Sequence, residues 1–288
     1  MRVARVALPT TVDEAVEALM EAPGAQLLAG GTDFCVEVNF GFRRPPAVVA
    51  LRRVRELRHY EVTPSSVVVG AGTTYTDMGR SELASVLPAL AAAARTVGSP
   101  QIRNAGTLGG NIATASPAGD TLPLLAALDA SVVLRGPSGS RTVTLAELVT
   151  GVKTTAIGPG EVVVEVVFDR RPGPQQFVKV GTRNAMVIAI ASAAVVVDIE
   201  AHQVRVALGS VAPVPLRASA AEAHIADSID WGAAGGPRAS GGALARFGEL
   251  VASAVSPITD HRSTSEYRRH AVQVVARRAL ERCLSRAA

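Results

Sequence analysis

Cysteine is nearly absent. Cys35 and Cys283 are the only two in 288 residues. They allow at most one disulfide and form no Cys-x-x-Cys or Cys/His cluster, so neither zinc nor an iron–sulfur cluster has a ligand set here. A reducing, cytoplasmic setting is the expectation. Aromatic residues make up 3% of the chain, so the core must be built from small aliphatic side chains. The opening Met1-Arg2-Val3-Ala4-Arg5 has no apolar stretch of the signal-peptide kind. The longest apolar run, Met186 to Val197, stops at Asp198 and is too short to cross a bilayer. A soluble protein without a membrane span is expected. The net charge of +4 comes mostly from scattered arginines, with no basic stripe interleaved with aromatics, which argues against nucleic acid. Five histidines are dispersed, and none sits with a Ser or Cys in a nucleophilic pattern. No catalytic side chain and no metal ligand is expected on this chain.

What is present is an irregular mixture of strand and helix signals, which points to α+β rather than a regular alternation. Arg2 to Leu8 alternates as a strand. Thr11-Val12-Asp13-Glu14 reads as a capping box opening a helix through Met20. Gln26 to Ala29, Val48 to Leu51 and Val67 to Val69 read as strands. Thr76-Asp77 can cap the next helix, and Pro88 to Thr96 is a further one. Gln101 to Asn111 has the densest loop signals in the chain. Asp120 to Ala127 reads as a helix, Ser131 to Leu134 and Glu161 to Phe168 as strands. Both prolines of Asp169-Arg170-Arg171-Pro172-Gly173-Pro174 mark a boundary, giving domains 1–172 and 175–288. Beyond it, Phe177 to Val180, Ser192 to Ile199 and Val204 to Leu208 predict strands. Leu216 to Ile225, Ala243 to Ala254 and Glu266 to Ser285 predict helices. Gly232 to Gly242 is a Gly/Ala/Ser-rich loop without periodicity.

Two glycine pairs stand out. Leu28-Ala29-Gly30-Gly31-Thr32-Asp33 runs from a strand into a tight turn, where glycine permits positive φ and close approach of an anion to peptide N–H groups. Thr107-Leu108-Gly109-Gly110-Asn111 repeats the theme. Alone, the first reads as a plain strand-to-helix turn and the second could be a hairpin loop. Together they suit a diphosphate, since several charge-assisted hydrogen bonds of about 1.5–3 kcal/mol each offset its desolvation. Neither is followed by Gly-Lys-Ser/Thr, and neither has Gly-x-Gly-x-x-Gly spacing, so the nucleotide must be held by another fold.

With these two loops, Asp120 to Ala130, Leu208 to Arg217 (LGSVAPVPLR) and Asp260 to Arg269 (DHRSTSEYRR), the chain resembles the FAD-binding subunits of carbon monoxide dehydrogenases, xanthine dehydrogenases and related molybdenum hydroxylases. The resemblance implies a two-lobed FAD domain of the vanillyl-alcohol-oxidase type, followed by a small α+β C-terminal domain. It places the pyrophosphate of FAD between the glycine loops. It makes Leu28, Ala29, Gly30, Gly31, Thr32, Asp33, Thr107, Gly109, Gly110 and Asn111 cofactor ligands, mostly through backbone N–H and hydroxyl groups. It adds Asp120 as an acceptor from the cofactor, Val163 as an apolar contact and Lys179 as a cation near the flavin. On the residues alone, Asp120 could cap a helix starting at Thr121, Val163 could be core and Lys179 could reach solvent. Thr73 and Thr74 follow another Gly-rich strand end. Two departures from the family pattern are Ala50, where an acidic residue is usual, and Phe34 in place of Leu.

The resemblance also implies partners: a small subunit with two-iron iron–sulfur clusters and a large subunit with the molybdenum cofactor, as a dimer of heterotrimers. This chain would pass electrons through FAD to NAD, a quinone or oxygen. Arg262, Arg268, Arg269, Arg277, Arg278, Arg282 and Arg286 offer cations for docking.

Overall fold

The computed structural model describes residues 5–80 and 82–287. Residues 2–4 of the first predicted strand lie outside the described part, and its remainder is the strand Arg5–Ala7. That strand, Gln26–Leu28 and Ala47–Ala50 form a parallel sheet with Ala47–Ala50 in the middle. Parallel pairing demands crossovers. The first is the helix Val12–Glu21, which buries Ala15 and Val16 against Val49 and Val162. Thr11 caps it through Glu14 N–H, while the Glu14 carboxylate accepts from Thr10, not Thr11, so the expected capping box closes one residue early.

A second, antiparallel sheet runs in the order Tyr60–Val62, Ser66–Gly70, Val162–Asp169, Ser131–Gly136, Gly139–Thr144. Its central strand is the last of the five in sequence, and it joins the hairpin of residues 60–70 to the hairpin of residues 131–144 in one sheet. A bulge between Val163 and Glu165 interrupts the ladder. The freed Val164 carbonyl accepts Ala71 N–H at 2.8 Å, which turns the chain at Gly70-Ala71-Gly72.

The C-terminal part is an antiparallel sheet of Gln175–Val180, Ala191–Asp198, Gln203–Gly209 and Leu216–Arg217. All eight residues of Ala191–Asp198 are buried. Ala193, Val195 and Val197 face the helices Ser219–Ser228, Gly241–Ala254 and Ser265–Arg286, whereas Ala194 and Val196 join the apolar core of the first half. Alanines on this strand let helices approach both faces. The two halves therefore share one continuous core across the proline-rich boundary. An ionic cluster reinforces the junction: Arg217 holds Glu222 at 2.5 and 2.7 Å and Asp129 at 2.5 Å, and Arg205 also pairs with Asp129.

Several expectations need correction. Gln101 to Asn111 is not a loop but two short helices, Pro100–Ala105 and Leu108–Thr114. Thr76 and Asp77 lie inside the helix Tyr75–Arg80, which Thr74 and Asp77 cap reciprocally. Leu216 and Arg217 are a strand paired with Ala207 and Leu208, and the helix starts at Ser219. The Gly232–Gly242 segment is not all loop: Arg238 and Ala239 pair with Asp230 and Ile229, and the helix Gly241–Ala254 begins within it. Arg268 is not a surface cation. It is buried, donates to the Ile190 and Ser210 carbonyls and pairs with Asp260 at 2.8 Å. Arg278, Arg282 and Arg286 are exposed, one turn apart.

Candidate functional site

Between the two lobes lies a cleft of about 620 Å³, within the size range of cofactor sites. One wall is Ala29 to Phe34 with the turns at Leu51 to Arg58. The floor is Ala71 to Tyr75. The opposite wall is Asn104 to Thr114, and Lys153, Ile157, Glu161 and Val163 complete it.

The first glycine turn leaves its backbone open to the cleft. Gly31 has φ +74°, and among the described residues the amides of Gly31, Thr32 and Asp33 donate to no protein acceptor. Asp33 precedes the helix Phe34–Asn39 without capping it, so its carboxylate too is free. A carboxylate beside a phosphate would repel it, which suits Asp33 to accept from a sugar hydroxyl. Gly30 serves another purpose. A Cβ there would fall 1.9 Å from the Ala105 carbonyl oxygen, so Gly30 lets the two lobes touch.

The second pair differs from its expectation. Thr107 is the N-cap of Leu108–Thr114, and Gly109 and Gly110 are in its first turn. Leu108 N–H bonds Thr73 O at 3.0 Å, Gly109 N–H bonds Ala71 O at 2.8 Å, and Gly110 N–H bonds Thr107 Oγ1 at 3.1 Å. These amides are already committed, so this loop has few left for a phosphate. Gly109 is needed for packing, since a Cβ would meet the Ala71 Cβ at 2.6 Å. What the segment does present is Gly110, a bare backbone on the cleft wall, and Asn111, whose Oδ1 accepts from Thr121 at 2.6 Å and whose Nδ2 is free among the described residues.

Of the expected ligands, Ala29, Gly30, Gly31, Thr32, Asp33, Thr107, Gly109, Gly110, Asn111 and Val163 line one cleft. Leu28, Asp120 and Lys179 are not among the lining residues. Leu28 pairs with Ala50 in the parallel sheet. Asp120 and Lys179 form a buried ion pair at 2.5 Å, and Lys179 also donates to the carbonyls of Thr96 and Val187 at 3.0 and 3.1 Å. An ammonium with three acceptors is fully used, so Lys179 does not reach solvent. Asp120 is not the helix cap either, because Thr121 holds that position. Its Oδ1 is buried without a partner. Burial pushes the Asp120 carboxyl up from its ordinary range, with Lys179 opposing.

Sequence reasoning missed the charged rim. Glu37 accepts from Lys153 at 3.0 Å and from Arg43 at 2.7 Å. The Lys153 hydrogen bond is the main force holding its carboxyl below the ordinary range. Arg43 also lies 5.3 Å from the centre of the Phe34 ring, which gives that substitution a stacking role. Arg52 and Arg58 line the cleft without a carboxylate partner among the described residues. A dianion in the cleft would meet net positive charge there. No local spacing signals these residues, because Lys153 is 116 positions from Glu37.

The family described as the FAD-binding domain in molybdopterin dehydrogenase matches residues 2–168. The chain belongs to that family. Residues 176–283 match the CO dehydrogenase flavoprotein C-terminal domain. A carbon monoxide dehydrogenase medium chain from Afipia carboxidovorans is 30% identical over 286 residues, covering 97% of this chain and 96% of the relative. A glyceraldehyde dehydrogenase medium chain from Sulfolobus acidocaldarius is 29% identical, covering 94% and 95%. In solved structures, carbon monoxide dehydrogenase from Hydrogenophaga pseudoflava superposes with a TM-score of 0.89 at 32% identity, over 99% of this chain and 98% of the other. The two-part architecture and the oxidoreductase character of the family agree with the reading of the sequence.

Proposed function

We propose that this chain holds one FAD in the interlobe cleft and relays electrons as the flavin subunit of a molybdenum hydroxylase or dehydrogenase complex. The observation that carries it is the turn at Gly31 to Asp33, with three uncommitted amides on a cleft of about 620 Å³. Family membership and the cationic rim support the same reading. FAD supplies acceptance of an electron pair and its release singly or as a hydride. The chain's own residues bind and orient. Gly31, Thr32 and Asp33 would hold a phosphate and a sugar hydroxyl, Arg52 and Arg58 would offset charge, and Val163 would exclude water from the cleft. Asp120 and Lys179 act from beside the cleft, keeping the lobe joined to the C-terminal sheet.

Residues 1–172 form the cofactor-binding part and 175–288 the C-terminal part. The two-iron clusters and the molybdenum cofactor reside on a small and a large partner subunit, joined to this chain as a dimer of heterotrimers in the cytoplasm. Relatives named as medium chains of dehydrogenases favour this over a complete enzyme. Expression of the chain alone tests the reading. It should purify yellow, releasing one FAD per chain on denaturation, and should oxidise no carbon monoxide, purine or aldehyde until the partner subunits are added. A colourless protein that takes up no FAD, or substrate oxidation by the single chain free of iron and molybdenum, overturns it.

A further inference from the structure

Tyr75 is an aromatic residue of the cleft that no reading of the glycine loops anticipates. It opens the helix Tyr75–Arg80, its N–H bonds the Gly106 carbonyl at 3.1 Å, and its ring packs beside Gly106. A Cβ on Gly106 would fall 2.7 Å from Cε2 of the ring. The residue is 6% exposed yet lines the cleft. Its hydroxyl makes no hydrogen bond with any described residue. The oxygen is not among the side-chain atoms sealed from solvent, so on this cleft-lining residue it is a donor free to meet a ligand.

We propose that the Tyr75 hydroxyl donates a hydrogen bond to a sugar hydroxyl of the bound dinucleotide. This rests on the FAD reading and adds a residue to it. The surroundings select the kind of partner. Burial pushes the phenol well above its ordinary range, and the negative charges of Asp120 and Asp33 push it further the same way. The group therefore stays protonated, a fixed donor. A neutral donor near two carboxylates suits the uncharged polyol of the cofactor as its acceptor. Gly106 keeps the ring in place, and the open turn at Gly31 to Asp33 takes the phosphate.

The test is Tyr75→Phe, which keeps the ring on Gly106 and removes only the hydroxyl. Thermal unfolding of the flavin-free protein should be unchanged, because the hydroxyl has no protein partner to lose. The FAD dissociation constant, followed by flavin fluorescence, should rise roughly five- to tenfold. Inorganic pyrophosphate should compete with FAD equally well in both proteins. A lower unfolding temperature in the flavin-free variant would make Tyr75 a structural residue. Unchanged FAD affinity overturns the proposal, and weakened pyrophosphate competition would assign the hydroxyl to phosphate instead. If the unsubstituted chain itself takes up no FAD, the cofactor reading fails before Tyr75 is tested.

Discussion

Gly30-Gly31 and Gly109-Gly110 face one another across the cleft, each preceded by an apolar residue and flanked by a hydroxyl and an Asp or Asn. At the first pair the backbone turns through φ +74° at Gly31 and leaves three amides without acceptors. At the second the amides of Leu108, Gly109 and Gly110 are bonded to Thr73, Ala71 and Thr107, inside a helix. The same dipeptide thus leaves amides open to the cleft on one side and serves packing on the other. Glycine content reports that something approaches the backbone closely; it does not report whether that is a ligand or another part of the chain. Even within the first pair the roles divide, with Gly31 supplying the turn and Gly30 the contact with Ala105.

Asp120 and Lys179 extend the comparison, because the family resemblance makes them cofactor ligands and in the structure they pair with each other across the boundary between the two halves. Breaking that pair should give the largest effect. Lys179→Met leaves a buried carboxylate alone, at a cost of about 3–5 kcal/mol in the flavin-free protein near neutral pH. Without Lys179 the upward push of burial on Asp120 is opposed only by the weaker hydrogen bond from Thr96. A carboxyl whose folded pKa is raised binds its proton more tightly when folded. The variant is therefore relatively stable at and below the ordinary value of 3.8 and loses stability as pH rises through the raised value. Urea unfolding at several pH values measures this. A variant as stable as its parent at neutral pH would put Lys179 back at the cofactor.

Gly30→Val should come next. A Cβ 1.9 Å from Ala105 O cannot be accommodated without parting the lobes, so about 3 kcal/mol of stability should go together with the flavin. Loss of flavin with full stability would mean that Gly30 meets the cofactor rather than Ala105. Gly109→Ala should cost about 1–3 kcal/mol through its contact with Ala71. The flavin affinity of whatever remains folded should be little changed, which equilibrium dialysis can check.

The helix that contains Gly109 explains why the sequence misled at this place. Two consecutive glycines are poor helix formers, so apart from the Thr107 cap little in Leu108 to Thr114 itself favours a helix. Its first turn is held by the carbonyls of Thr73 and Ala71, more than 30 residues earlier. The strand Leu216–Arg217 was hidden for the same reason, since only its pairing with Ala207 and Leu208 makes it one. By contrast, the helix Pro88–Thr96 was legible to the residue, with Pro at its first position and alanines throughout. The two-part architecture was legible through the family's motifs. Ten of the thirteen expected ligands line the cleft, while the committed amides, the Lys179 cage, Tyr75 and the charged rim depend on distant contacts.

The smallest effects give the sharpest test of the two loops, through their threonines. Thr107 caps a helix by accepting Gly110 N–H at 3.1 Å, so Thr107→Ala should cost the flavin-free protein about 1 kcal/mol. Thr32 lies beside the open amides and its hydroxyl has no partner among the described residues. Thr32→Val keeps its shape, and the flavin-free protein should remain within about 0.5 kcal/mol of its parent. The loss should instead appear only on binding, as an FAD dissociation constant raised roughly threefold to tenfold. Measured side by side, the two variants should fall on different axes: Thr107→Ala on stability, Thr32→Val on affinity. Both variants losing affinity with stability intact would mean that both loops grip the cofactor alike. Both losing stability alone would mean that neither touches it, since an amide cradle for phosphate brings its neighbouring hydroxyl within reach of the same ligand.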